Sequence, residues 1–255
     1  MNHPRIIPRV SLHRPGFDVL TLLCAVLIVI QVMVEVSGGV MAHISGGLYE
    51  TFGLSRPGIS SGRVWQLFTH PFLHGSWMHL LLNGLMIFLM GGRVFHILGG
   101  RAFAKIFFGG VLAGGLLHVL LQPRFPLGED GSMIADAPLV GASAGAIALL
   151  LALTILSPDS RMWPFMISGR NLGRGLLVAT VILFVLTPGL NIPVLSAVGL
   201  WLTEKAGLEA LFDISHICHF GGGLVGMVYA RRLLHSPVSL EQLRRARKRR
   251  EGIAA

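Results

Sequence analysis

The chain has 255 residues, of which 53% are hydrophobic and 13% charged, about half the roughly 25% charge of soluble domains. So little charge excludes an ordinary soluble fold and points to a polytopic membrane protein. The formal charge of +9 does not indicate a nucleic-acid partner: its densest block, "RRARKRR" (Arg244–Arg250), sits beside an apolar segment and reads as a cytoplasmic anchor facing anionic lipid.

Crossing a bilayer takes about 20 apolar residues. Six stretches qualify, at roughly 17–36, 78–98, 102–121, 139–157, 174–190 and 215–233. The first is too long for the apolar part of a cleavable signal and no A-x-A site follows it, so it reads as a retained helix. A long loop, 37–77, comes next. Leu48, Tyr49, Phe52, Leu54, Trp65, Phe68 and Phe72 give it an apolar and aromatic content suited to an ordered, partly embedded structure at the membrane interface. The fifth stretch is interrupted by Pro188 and Pro193. A further apolar run, Val194 to Leu202, either extends it or lies at the interface.

The two cysteines, Cys24 and Cys218, lie in apolar segments and offer neither a disulfide framework nor a zinc spacing. With both termini inside, seventeen Lys and Arg fall on inside segments and four (Arg56, Arg63, Arg124 and Lys205) on outside ones. That asymmetry obeys the positive-inside rule. The expectation is an all-α polytopic membrane protein: a six-helix bundle over 17–233, a cytoplasmic tail over 1–16 and a basic cytoplasmic tail over 234–255.

Polar side chains within a bilayer are costly and mark function. Three sites stand out. In "THPFLHGSWMHLLLN", His79 and Asn83 are four residues apart on one helix face, with His70 and His74 ahead of them. In "GASAGAIALLLAL", Ser143 lies among Gly141, Ala142, Ala144, Gly145 and Ala146. In "HICHFGGGLVG", Gly222, Gly223 and Gly226 continue the face that carries His219. Each has a purely structural reading: an interhelical hydrogen bond, a small-residue packing face, and a glycine stripe with an incidental histidine. The predicted topology weighs against those readings together, because all three sites fall near the outer ends of the second, fourth and sixth spans. Small residues would let the fourth and sixth helices approach until Ser143 and His219 hydrogen-bond. A serine beside a histidine base is an activated nucleophile. Nearby amide donors, with Asn83 and His79, would stabilise an oxyanion.

These motifs, in this order, resemble the rhomboid family of intramembrane serine proteases over about 45–232. "GRVWQLFTHPFLHGSWMHLLLN" resembles the family's first loop and its H-x-x-x-N, "GASA" its G-x-S-x, and "HFGGG" its last-helix histidine and glycines. The resemblance implies a six-helix rhomboid-like bundle and a serine endopeptidase with a Ser–His dyad lacking an acidic third member. Ser143 would be the nucleophile and His219 the base and then the acid. Asn83, His79, Gly141 and the Ser143 N–H would form the oxyanion and substrate-positioning site. Implied partners are the lipid bilayer and single-pass transmembrane protein substrates, cleaved in or near the membrane, with no cofactor, no metal and no nucleic acid. The fifth helix, with Pro188 and Gly189, would be a lateral gate, and a bacterial inner membrane fits the compact chain.

Three positions depart from the family pattern. Ala144 follows the serine where glycine is common, and its methyl is expected to crowd the oxyanion site. Gln66 follows Trp65 where arginine is usual, losing a charged loop anchor. Phe95 stands where a glutamate is frequent. His216, one turn before His219, is the other candidate base, although the glycines that follow favour His219. Other classes are a catalytically inactive rhomboid-like protein that binds transmembrane clients, a metal site built from the paired histidines, and a transporter, for which no inverted repeat is seen.

Overall fold

The computed structural model describes residues 13–43, 47–122, 138–162, 166–208 and 211–235. Six long helices account for most of them. Helix α1 (Val19–Val36) starts at Asp18, whose carboxylate accepts the N–H groups of Leu20 and Thr21 at 3.0 Å each. Helix α2 (Trp77–Leu98) starts at Ser76, whose Oγ accepts the His79 N–H at 3.1 Å, and carries a π turn at Ile87–Gly91. Helices α3 (Gly100–Leu121), α4 (Ser143–Leu156), α5 (Gly169–Leu186) and α6 (His216–Leu234) complete the set. The loop between α1 and α2 folds into short helices at Gly39–His43, Leu48–Phe52, Arg56–Ser60 and Gln66–Thr69 and a 3-10 turn at His70–Phe72. A small antiparallel hairpin pairs Arg161 with Ser168 and Met162 with Ile167.

Four helices, α1, α2, α3 and α5, are long and apolar enough to cross a membrane. Helix α4 is only 14 residues long. It is packed by α2, α3, α5 and α6, and ten of its fourteen residues are buried, so it meets protein rather than lipid. Helix α6 spans 19 residues but holds His216 and His219 at one end and Arg231 and Arg232 at the other. The core joins Leu149 and Leu153 of α4 to Leu20, Leu27, Phe103 and Ile106, with the rings of Phe103 and Phe107 stacked.

Two boundaries differ from the sequence expectation. The fourth helix starts at Ser143 rather than near 139, because Leu139 forms an antiparallel bridge with Leu54, with N–H···O distances of 2.8 and 2.9 Å. The apolar run after α5 does not extend it. A 3-10 turn at Pro188–Leu190 ends the helix, and Leu195–Glu204 forms a separate short helix whose Gly199 lies against the Leu186 carbonyl. Proline cannot supply the N–H that continuation requires.

Candidate active site

Helices α4 and α6 meet backbone to backbone. A Cβ added to Gly222 would lie 2.3 Å from the Ala144 carbonyl oxygen, and one on Gly226 would lie 2.0 Å from that of Ala148. Only glycine permits this approach at two successive turns. His219 lies one turn before Gly222, and the approach places its Nε2 2.7 Å from Ser143 Oγ. The Ser143 hydroxyl can donate to that nitrogen. His216, the other candidate base, is turned elsewhere: its Nε2 donates to the Leu211 carbonyl at 2.6 Å.

The rotation of α6 is fixed at the residue that caps it. Ser215 caps the helix by accepting the Cys218 N–H at 3.4 Å. Its hydroxyl donates to Gln122 Oε1 at 3.1 Å and accepts from His118 Nδ1 at 2.9 Å, tying α6 to the end of α3. Arg56 caps the same end of α3 through the carbonyls of Val119 and Gln122. This junction is nearly silent in the sequence. Its one signal was a serine directly before an apolar helical run.

On the other side of Ser143, three predicted residues converge. Gly141 has φ +109°, and a Cβ there would lie 2.6 Å from His79 Nε2 and 3.4 Å from Asn83 Nδ2. Glycine is required both for the backbone angle and for the approach. Asn83 is 4% exposed, and its buried Nδ2 has no hydrogen-bond partner among the described residues. As first residue of α4, Ser143 also presents an N–H that the helix itself leaves without an acceptor. The site therefore pairs a base-contacted hydroxyl with backbone and side-chain donors.

The strand leading to Ser143 is held by the loop between α1 and α2. Gly141 N–H donates to the His70 carbonyl at 3.0 Å, and Ala142 N–H donates to His74 Nε2 at 3.4 Å. His70 Nδ1 in turn donates to the Gln66 carbonyl at 2.9 Å, and the Tyr49 hydroxyl donates to the His74 carbonyl at 2.5 Å. Burial holds both imidazoles neutral, lowering His70 to about 4 and His74 to about 3, with nearby His79 adding to the effect on His74.

The family departures have structural explanations. Gln66, fully buried, anchors the loop without a charge: Nε2 donates to the Glu50 carbonyl at 2.8 Å and Oε1 accepts the Ser55 N–H at 3.2 Å. The Ala144 methyl does not face the oxyanion side. It is buried against Gly114 of α3, where an added Cβ would come within 2.8 Å of it. Phe95 packs edge-on against His13 and Phe103. Among the described residues, no group of three His, Cys, Asp or Glu side chains is placed as a metal ion would need.

A mostly helical chain with four lipid-compatible helices around a buried short one is an integral, multi-pass membrane protein. It matches the Rhomboid domain over residues 61–236, a stretch that contains His79, Asn83, Gly141, Ser143 and His219, and it belongs to the rhomboid family. Members of that family are usually intramembrane serine proteases. No curated protein matches the chain.

Proposed function

We propose that this protein is an intramembrane serine endopeptidase that cleaves single-pass membrane proteins in or near their transmembrane segment. The observation that carries the reading is the 2.7 Å contact between Ser143 Oγ and His219 Nε2 beside a buried, unpaired amide. In the reaction, Ser143 Oγ attacks the scissile carbonyl carbon and its proton passes to His219 Nε2. The tetrahedral oxyanion accepts hydrogen bonds from the Ser143 N–H, Asn83 Nδ2 and His79 Nε2–H, over the space that Gly141 leaves open. His219 then gives its proton to the leaving amine. A water, deprotonated by the same histidine, releases the acyl group and restores the serine. A helical substrate hides its carbonyls in hydrogen bonds, so the reading requires local unwinding, favoured by helix-weakening residues. It also takes α4 and α6 as spans alongside the other four, with both termini on the cytoplasmic side, and places the protein in a bacterial inner membrane.

The test is labelling of the detergent-solubilised protein with a fluorescent fluorophosphonate. The wild type is expected to label, and Ser143→Ala and His219→Ala are expected to remain folded but unlabelled. Equal labelling of Ser143→Ala would sink the mechanism. An unlabelled but folded wild type would favour the second reading, an inactive family member that binds transmembrane clients.

A further inference from the structure

His74 lies outside the proposed catalytic set, yet it touches both halves of it. It is fully buried just before α2. Its Nε2 accepts the N–H of Ala142, the residue preceding the nucleophile. Its ring stands edge-on to that of His79, with centroids 5.0 Å apart and planes at 76°. Its carbonyl is held by the Tyr49 hydroxyl, from the short helix Leu48–Phe52.

The acceptor role fixes the tautomer. A neutral imidazole that accepts at Nε2 carries its proton at Nδ1. That Nδ1 is buried and makes no hydrogen bond of full geometry among the described residues, with only the Phe72 carbonyl near enough to act on it. A buried donor without a full hydrogen bond is a cost that an apolar side chain of similar shape would avoid. An imidazole retained at that cost is explained by what Nε2 does. Without it, the Ala142 N–H would lose its acceptor inside the protein, one residue from Ser143.

We propose that His74 is a positioning residue for the Ser143 site: it holds the peptide before the nucleophile and the ring of His79 in the arrangement that lines up hydroxyl and oxyanion donors. The proposal rests on the serine-protease reading. It also gives the loop between α1 and α2 a route to the site, from Tyr49 through His74 to Ala142. The carbonyl of His70 supports the neighbouring Gly141 N–H, but the His70 ring is turned to Gln66. Among the described residues, the imidazole of His74 is therefore the loop side chain that hydrogen-bonds the backbone of this strand.

Two substitutions separate positioning from filling of space. His74→Phe keeps an aromatic ring but offers no acceptor. His74→Gln places an amide oxygen near the position of Nε2. Fluorophosphonate labelling rates and thermal midpoints would be measured for wild type, His74→Phe, His74→Gln and Ser143→Ala. His74→Phe is expected to label roughly 10- to 100-fold more slowly, the order of loss that a small misplacement of reacting groups produces. His74→Gln is expected to recover most of that rate. Hydrogen exchange of the peptide containing Ala142 is expected to accelerate in His74→Phe and return towards the wild-type rate in His74→Gln. Wild-type labelling by a folded His74→Phe overturns the proposal and leaves the protease reading standing. So does a His74→Gln that labels as slowly as His74→Phe. Should His74→Phe fail to fold, a His74→Gln that keeps most of the wild-type labelling and the wild-type Ala142 exchange supports the proposal, and one that loses both overturns it. A folded wild type that does not label overturns the protease reading and this proposal together.

Discussion

Asn83 is held in a position that costs stability. Its Nδ2 is buried and unpaired, which for a buried donor amounts to about 1–3 kcal/mol. In the proposed reaction the oxyanion supplies the missing acceptor, so the amide is satisfied only when substrate reacts. Asn83→Ala is therefore expected to lower turnover of a transmembrane substrate by about 10²–10³-fold without lowering the thermal midpoint. Unchanged turnover would remove Asn83 from the oxyanion site. Gln66 shows a different use of an amide. It donates to the Glu50 carbonyl and accepts from the Ser55 N–H in one buried position. Arginine, the residue usual there in the family, has no acceptor. Its added length would also press on Gly58, where an added Cβ would already lie 2.0 Å from Gln66 Oε1. Gln66→Arg is thus expected to destabilise this protein by about 1–3 kcal/mol, read as a lower midpoint in detergent. A midpoint at or above the wild-type value would show that the loop accommodates the charge.

Helix packing decides whether Ser143 and His219 meet at all. The crossing of α4 and α6 depends on Gly222 and Gly226, where added Cβ atoms would collide with the backbone of α4. Gly226→Ala is expected to push the helices apart, lower stability by about 1–3 kcal/mol and abolish fluorophosphonate labelling from a position two turns beyond His219. Gly175→Ala on α5 is the control: nothing lies within 4 Å of an added Cβ there. The same change should be neutral or stabilising by up to about 1 kcal/mol, as helix propensity favours alanine. Full labelling in Gly226→Ala would refute the packing account. The glycine spacing after His219 made this contact legible in the sequence, as did the clustering of small residues around Ser143. The start of α4 was not legible, since Leu139 and Val140 are as apolar as the helix itself. Their backbone is claimed by Leu54 and by Gly141's positive φ, a long-range pairing and a dihedral that hydropathy does not encode. Nor was the Ser215 junction, whose partners His118 and Gln122 are about a hundred positions distant in the chain.

For the molecule as a whole, apolar length and charge asymmetry indicated a bundle of helices, but length alone does not reveal which helix is central. Helix α4 is shorter than a lipid-facing span, and protein rather than lipid surrounds it. The loop between α1 and α2 is integral to that architecture, since it carries the His70 carbonyl and the His74 imidazole that hold the strand before α4, with both rings buried. Both imidazoles are neutral when folded, at about 4 and about 3 against an ordinary 6.5. Their folded values are depressed, so the unfolded chain binds more protons than the native one between those limits. Their contribution is fully present above pH 6.5 and is lost as pH falls through 6.5 towards 4 and 3. Each should weaken the fold by about 1.4 kcal/mol per pH unit in that window. Thermal melting of the Ser143→Ala protein in detergent, which excludes self-cleavage as a cause, is expected to be level from pH 8 to 7 and to decline steadily from pH 6 to 4. His74→Gln, which removes one of these two rings, should make the decline shallower. A midpoint that stays constant from pH 7 to 4 would mean that these histidines take up protons without leaving their buried positions, and that the loop's grip on the strand before Ser143 does not depend on the neutrality of His74.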